Sequence, residues 1–184
     1  MPGDVSVSAL ILAGGRATRM GGIAKHEIIV QGETILARQR RTLGPVVDEI
    51  LVSSPADIDG VRTVRDAPEH AGIGPLAGIA AGLAATTSHW LFVVAGDMPS
   101  VDAALVERML ALRTRDAVGL RVRGLPEPLL CLLRVAAARI ALDELLGHRR
   151  HKASGLLDAL DVVWIEDVDP CVVHNINEPS DLLE

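Results

Sequence analysis

The sequence predicts an α/β fold: a single three-layer domain over residues 1–184, with a mainly parallel sheet and helices on both faces. Three observations carry this. Short apolar runs of strand length end again and again at glycine or proline. The segments between them carry apolar residues at helical spacing. The chain has 184 residues, 49% apolar and 23% charged, which suits one core at the ~150 residues of a typical domain.

Val7 to Leu12 reads as a buried strand feeding the glycine pair Gly14-Gly15. Ile35, Leu36 and Leu43 suggest a helix closed by Gly44-Pro45, and Val46-Val47 with Ile50-Leu51-Val52 the next strand. Val61 to Val64 is a weaker strand. Leu76 to Ala85 reads as a helix after the breakers Gly72, Gly74 and Pro75, and Trp90 to Val94 as the strongest strand, ending at Gly96-Asp97-Met98-Pro99. Ser100 is the expected cap of a helix carrying Val101, Leu105, Val106, Met109 and Leu110, with Asp102 complementing its dipole. The rhythm then changes. Ala117 to Val122 and Pro128 to Leu133 look like two strands joined by a turn around Arg123-Gly124-Leu125-Pro126. Helices over Val135 to Leu146 and Ala153 to Leu160, a strand over Val162 to Ile165 and a helical turn over Pro179 to Leu183 complete the reading. Strands separated by helices imply the parallel sheet.

Composition excludes several classes of function. The formal charge is −6 with a pI near 5.5, so no basic field recommends nucleic acid or an anionic membrane as partner. Two tryptophans, one phenylalanine and no tyrosine are too few for a base-stacking platform. Residues 1–15 lack the basic lead-in and length of a signal peptide, and the longest uncharged stretch, from Ala71, is broken by proline and glycines, so no membrane span is expected. Cys131 and Cys171 read as buried, inert thiols, which fits a cytoplasmic setting.

The segment Leu12 to Lys25 places four glycines and three cations directly after the first strand. Glycine lets successive N–H groups converge on phosphate oxygens, and the cations neutralise the charge. It is neither the dinucleotide fingerprint, which needs glycine where Arg16 stands, nor the P-loop, which needs Gly-Lys-Ser/Thr where Ala24-Lys25-His26 stands. A solvated basic turn is the bland alternative. Asp97 follows an apolar strand, where open α/β sheets bind ligands. It suits a magnesium ion, which takes one or two carboxylates and fills its other positions with water and phosphate. It could equally serve the helix that follows. Gly74-Pro75-Leu76-Ala77-Gly78-Ile79-Ala80-Ala81-Gly82 sets glycines four apart, leaving a flat stripe for tight helix–sheet packing or for a ligand. His148-Arg149-Arg150-His151-Lys152 is the densest basic cluster, a solvated charge run or a local anion site. In His174-Asn175-Ile176-Asn177-Glu178-Pro179 the two amides fall on one side of an extended segment, although asparagines before proline are ordinary turn formers.

Together, four of these five segments resemble the molybdenum cofactor guanylyltransferases, within the superfamily of Rossmann-like nucleotidyltransferases. The loop Leu12 to Lys25 looks like the family's nucleotide signature, Gly74-Pro75-Leu76-Ala77-Gly78 its second glycine motif, Asp97-Met98-Pro99 its metal motif, and Asn175-Ile176-Asn177-Glu178-Pro179 its C-terminal signature. The resemblance implies that Leu12, Ala13, Gly14, Gly15 and Lys25 hold the base and phosphates of GTP, and that Asp97 holds Mg2+. Ser53 and Asp66 match further nucleotide contacts, and Arg19, Gly22 and Gly78 match positions near the reacting phosphates, with Arg19, Lys25 and Asp97 as the catalytic set. Arg150, Asn175 and Asn177 match the pterin side. The implied reaction joins GMP to molybdopterin and releases pyrophosphate, and leaves room for transient contact with molybdoenzymes or other cofactor-biosynthesis proteins. Ala24 stands where the family usually has aspartate, and Ser53 where guanine-specific members often have asparagine. A cytidylyltransferase, a sugar-phosphate nucleotidyltransferase or a catalytically inactive nucleotide-binding protein would share the same frame.

Overall fold

A computed structural model describes residues 5–14, 16–17, 23–148 and 152–176. Strand β1 (Val7–Leu12) opens the fold. The glycine-rich segment after it is partly ordered into two short strands, β2 (Arg16–Ala17) and β3 (Ile23–Ala24), which pair antiparallel. A 3-10 turn over Lys25–Glu27 leads into β4 (Ile29–Val30) and β5 (Glu33–Thr34), a two-residue hairpin. Its turn residues Gln31 and Gly32 both have positive φ, 53° and 83°, the backbone twist that a tight hairpin demands. None of these pieces was expected, because two-residue strands leave no periodic trace in a sequence.

Helix α1 (Ile35–Leu43) is capped by Thr34, whose hydroxyl accepts from the Ala37 N–H at 3.2 Å. It is followed by β6 (Glu49–Ser53), β7 (Arg62–Val64), α2 (Pro75–Ala85) and β8 (Trp90–Ala95). Val46 and Val47 lie ahead of β6, not in it. Helix α3 (Ala103–Ala111) starts later than expected. Its cap is Asp102 and not Ser100: the Asp102 carboxylate accepts from the Leu105 N–H at 2.8 Å, and the extended backbone that a cap requires occurs at Asp102. Strands β9 (Ala117–Val122) and β10 (Leu125–Arg134) form the expected hairpin, turning at Arg123 and Gly124 with φ of 53° and 80°. Helices α4 (Val135–Gly147) and α5 (Ser154–Asp158) and strand β11 (Val162–Ile165) follow, α5 being shorter than the run Ala153 to Leu160 suggests. The expected turn over Pro179 to Leu183 lies outside the described residues.

Seven strands form one sheet in the order β11-β9-β10-β8-β1-β6-β7. All its pairings are parallel except those of β10, which runs antiparallel to both β8 and β9. Side chains alternate across it. Ala9, Ile11, Phe92, Val94, Val118 and Leu132 pack on one face with Leu36 and Leu43 of α1 and with Leu105, Val106 and Met109 of α3. Leu10, Leu51, Leu91, Val93 and Leu133 pack on the other with Leu76, Ile79 and Leu83 of α2 and with α4 and α5. Each such fully buried side chain contributes about 1.5–3 kcal/mol.

The glycine stripe of α2 belongs to this packing. A Cβ at Gly82 would lie 2.5 Å from Leu10 Cδ2, and one at Gly78 would lie 2.9 Å from Leu12 Cδ2. Cys131 is buried as expected, and burial pushes its thiol up to about 12. Cys171 is not buried; it is exposed on a 3-10 turn over Pro170–Val173, outside the sheet and its covering helices. Among the described residues, no helix is long and apolar enough to cross a membrane.

Candidate active site

The three adjacent strands β8, β1 and β6 all run parallel, so their carboxyl ends, and the loops that leave them, converge on one edge of the sheet. Backbone hydrogen bonds continue the pairing past the strands: the Ala13 N–H donates to the Ser53 carbonyl at 2.8 Å, and the Gly96 N–H to the Leu12 carbonyl at 2.9 Å. Gly96 must be glycine-like in size, since a Cβ there would stand 2.8 Å from the Leu12 carbonyl oxygen.

Between these loops lies a cleft of about 430 Å³. Leu12, Gly14, Lys25, Ser53, Asp66, Gly78 and Asp97 all line it. These are seven of the positions singled out from the sequence, drawn from five separate segments. Gly74, at φ +82°, caps α2 in a backbone conformation that other residues adopt with strain, and it lines the cleft beside Pro75. Among the described residues, nothing lies within 4 Å of an ideal Cβ at Gly14. Ala13 does not line the cleft: it is buried, with its N–H on Ser53 and its carbonyl accepting from His26 Nδ1 at 3.1 Å. Gly15, Arg19, Gly22, Arg150 and Asn177 lie outside the described residues.

Lys25 and Asp97, 72 residues apart, meet in the cleft with Nζ 2.6 Å from Oδ2. The side chains are 23% and 13% exposed, so water screens this pair less than a surface one. Residue 24 is therefore not what orients the lysine. Ala24, in extended backbone, starts the 3-10 turn that aims Lys25 across at the end of β8.

Asp97 is also tied to the C-terminal segment, through an Ile176 N–H to Asp97 carbonyl bond of 2.9 Å. One residue earlier, the Asn175 Oδ1 is buried with no hydrogen-bond partner among the described residues. A carboxylate and an unsatisfied amide oxygen on neighbouring chain segments are the hard oxygen donors that a divalent cation of the magnesium type takes. Asp97, in the wall of the cleft, is a donor of the kind such an ion takes; Asn175 does not line the cleft. Glu127 of β10 adds negative charge nearby: burial, and to a lesser extent the Asp97 carboxylate, hold its pKa above the usual carboxylate value, against the Leu129 N–H that lowers it.

Three contributors escaped the sequence reading. His26 holds the first loop through Ala13, Gln39 holds the turn at Asp97, and Leu129 supplies apolar wall. Gln39 left one trace, a polar residue on the otherwise apolar stripe of α1 between Leu36 and Leu43.

The profile of the "MobA-like NTP transferase domain" family matches residues 9–163. The chain belongs to this family. It is a nucleotidyltransferase, and enzymes of this kind generally use a divalent metal. A protein of Pseudomonas putida named molybdenum cofactor guanylyltransferase is 33% identical over 94% of each chain. One of the same name from Pseudomonas aeruginosa is 39% identical over 68% of this chain and 67% of its own. Among solved structures, molybdopterin-guanine dinucleotide biosynthesis protein A from Archaeoglobus fulgidus superposes with a TM-score of 0.77 at 24% identity, covering 96% and 95% of the two chains. The 2-C-methyl-D-erythritol 4-phosphate cytidylyltransferase from Thermus thermophilus does so with 0.75 at 20% identity, covering 97% and 96%. Both structures share the fold.

Proposed function

We propose that this chain, acting as one domain, transfers GMP from GTP to molybdopterin and releases pyrophosphate. The names of its relatives support that substrate pair. The observation that carries the reading is the half-buried pairing of Lys25 with Asp97 inside a cleft bounded by glycine loops at the carboxyl ends of β1 and β8.

In this reading Leu12, Gly14 and Gly15 lie against the base and phosphates, with Ser53 and Asp66 toward the nucleoside. Lys25, Arg19, Gly22 and Gly78 stand near the phosphates that react. Asp97 holds Mg2+, while Arg150, Asn175 and Asn177 take the pterin side. A cation held by Asp97 would supply positive charge against the negative charge that develops on the phosphates during transfer. The terminal phosphate of molybdopterin attacks the α-phosphorus of GTP in line, the bond to the β-phosphate oxygen breaks, and pyrophosphate carries away the electron pair. No protein nucleophile is needed, and Cys131, buried with its thiol near 12, is not one. Lys25 exchanges its carboxylate partner for phosphate oxygens, so the cleft supplies position and charge. At ~4 Å a unit charge contributes about 1 kcal/mol in water and about 4 kcal/mol at an effective dielectric near 20; the depth of the cleft therefore decides how much Lys25 contributes.

The test is release of pyrophosphate from GTP, CTP and UTP, each with and without molybdopterin. GTP with molybdopterin should be turned over fastest. Faster use of CTP would make this a cytidylyltransferase, and tight GTP binding without release would make it a nucleotide-binding protein. The setting we infer is the cytoplasm.

A further inference from the structure

The turn that carries Asp97 is held by a side chain from a distant helix. Gln39, on α1 and 2% exposed, donates from Nε2 to the Ala95 carbonyl at 2.8 Å and to the Met98 carbonyl at 3.0 Å. Those two carbonyls bracket Gly96 and Asp97. Besides the Lys25 ammonium on the Asp97 carboxylate, backbone groups also bind this turn: Gly96 N–H to Leu12, Met98 N–H to Ala95 at 3.3 Å, and Ile176 N–H to the Asp97 carbonyl. Gln39 thus ties together both ends of a turn that the main chain closes with a single bond of 3.3 Å.

A primary amide is suited to this because a single nitrogen carries two N–H donors, and glutamine has the reach that asparagine lacks. The arrangement has a cost. Gln39 Oε1 is buried with no hydrogen-bond partner among the described residues, and an unpaired buried acceptor destabilises the fold. A methionine would fill the same volume without that penalty. What glutamine adds over methionine is the grip on Ala95 and Met98.

We infer that Gln39 is a positioning residue for the nucleotidyl transfer: by clamping the carbonyls on either side, it fixes the direction of the Asp97 carboxylate toward the cation and Lys25. The inference rests on the functional reading above, and the experiment separates the two. Mn2+ binding in the presence of GTP is followed by the enhancement of water-proton relaxation, referenced to Mn2+ and GTP without protein, for wild type, Gln39→Met and Gln39→Glu. Thermal unfolding and backbone hydrogen exchange at residues 95–98 are measured alongside.

Both variants should weaken Mn2+ binding about tenfold, Gln39→Glu the more, because an ionised carboxylate would face two carbonyl oxygens. Exchange at Gly96 and Met98 should speed up, while GTP binding measured without metal stays within twofold. Mn2+ affinity within twofold of wild type in either folded variant, whatever the change in melting temperature, would overturn the positioning role and leave the functional reading intact. Absence of Mn2+ binding by the wild-type protein with GTP would overturn both.

Discussion

The two inner glycines of α2 make a quantitative prediction, because in a helix the ordinary effect of Gly→Ala is favourable by about 0.5–1 kcal/mol. At Gly78 the new methyl would stand 2.6 Å from Ser53 Oγ, 2.9 Å from Leu12 Cδ2 and 3.2 Å from Ser53 Cβ. The Ser53 hydroxyl can rotate, but its Cβ is fixed to β6, so α2 itself must withdraw from the sheet. Overpacking of this kind costs typically 1–3 kcal/mol, which outweighs the propensity gain. In a domain of this size each kcal/mol is about 2–4 °C of melting temperature, so Gly78→Ala should lower it by roughly 2–8 °C. Gly82→Ala should act similarly, since the Leu10 atoms it would meet at 2.5–3.1 Å belong to a fully buried side chain. Gly14→Ala and Gly147→Ala, with nothing among the described residues within 4 Å of either new methyl, serve as controls and should not lower it. Thermal unfolding followed by circular dichroism decides. A Gly78→Ala protein that melts with or above the controls would show that α2 shifts freely and that the stripe has no packing role.

Asp97→Ala should abolish pyrophosphate release while the protein stays folded by circular dichroism; activity within a few-fold of wild type would remove the carboxylate from the machinery. Gly14→Ala should lower the ratio of GTP to CTP turnover by about 10- to 200-fold, the worth of a methylene-sized misfit in a pocket, and equal losses for both nucleotides would assign the glycine to backbone geometry. For Glu127 the sign follows from linkage. Burial, and to a lesser extent Asp97, hold its folded pKa above the ordinary glutamate value, so the folded state binds more protons than the unfolded state and loses stability as pH rises through that window. Glu127→Gln should therefore stabilise the protein against urea at about pH 7 and not at about pH 4, and a gain of equal size at both would point to packing in place of charge.

The long elements were legible because their signals are physical necessities of burial. Trp90 to Val94 is apolar without alternation since β8 is covered on both faces, and the hairpin of β9 and β10 was marked by Arg123-Gly124. What the sequence hid is what depends on distance in three dimensions. The pairing of Lys25 with Asp97 spans 72 residues, and nothing in either local pattern announces the other. Ser100 misled because serine and aspartate are both good caps, and the choice between them falls to the backbone at positions 100–102. The α2 glycines were ambiguous for a sharper reason: tight packing and ligand approach both demand a missing side chain, and Gly78 meets Ser53 on one side while lining the cleft on the other.

The cleft also has to manage its own charge before any nucleotide arrives. The chain carries a formal −6, and Asp97 sits near Glu127 in a part of the molecule where burial already disfavours a carboxylate. A second carboxylate in the same place calls for a compensating cation, since buried charges are paired. Lys25 supplies it by direct contact at 2.6 Å, and in doing so the carboxylate keeps the ammonium in the cleft instead of letting it trail in solvent on its flexible stem. An incoming triphosphate then meets a cation already in position, and the ordering of that side chain has been completed in advance. The same contact explains how the chain manages with Ala24: the lysine is anchored from across the sheet, by the residue whose charge it compensates, and the loop residue beside it is left with only the backbone to shape.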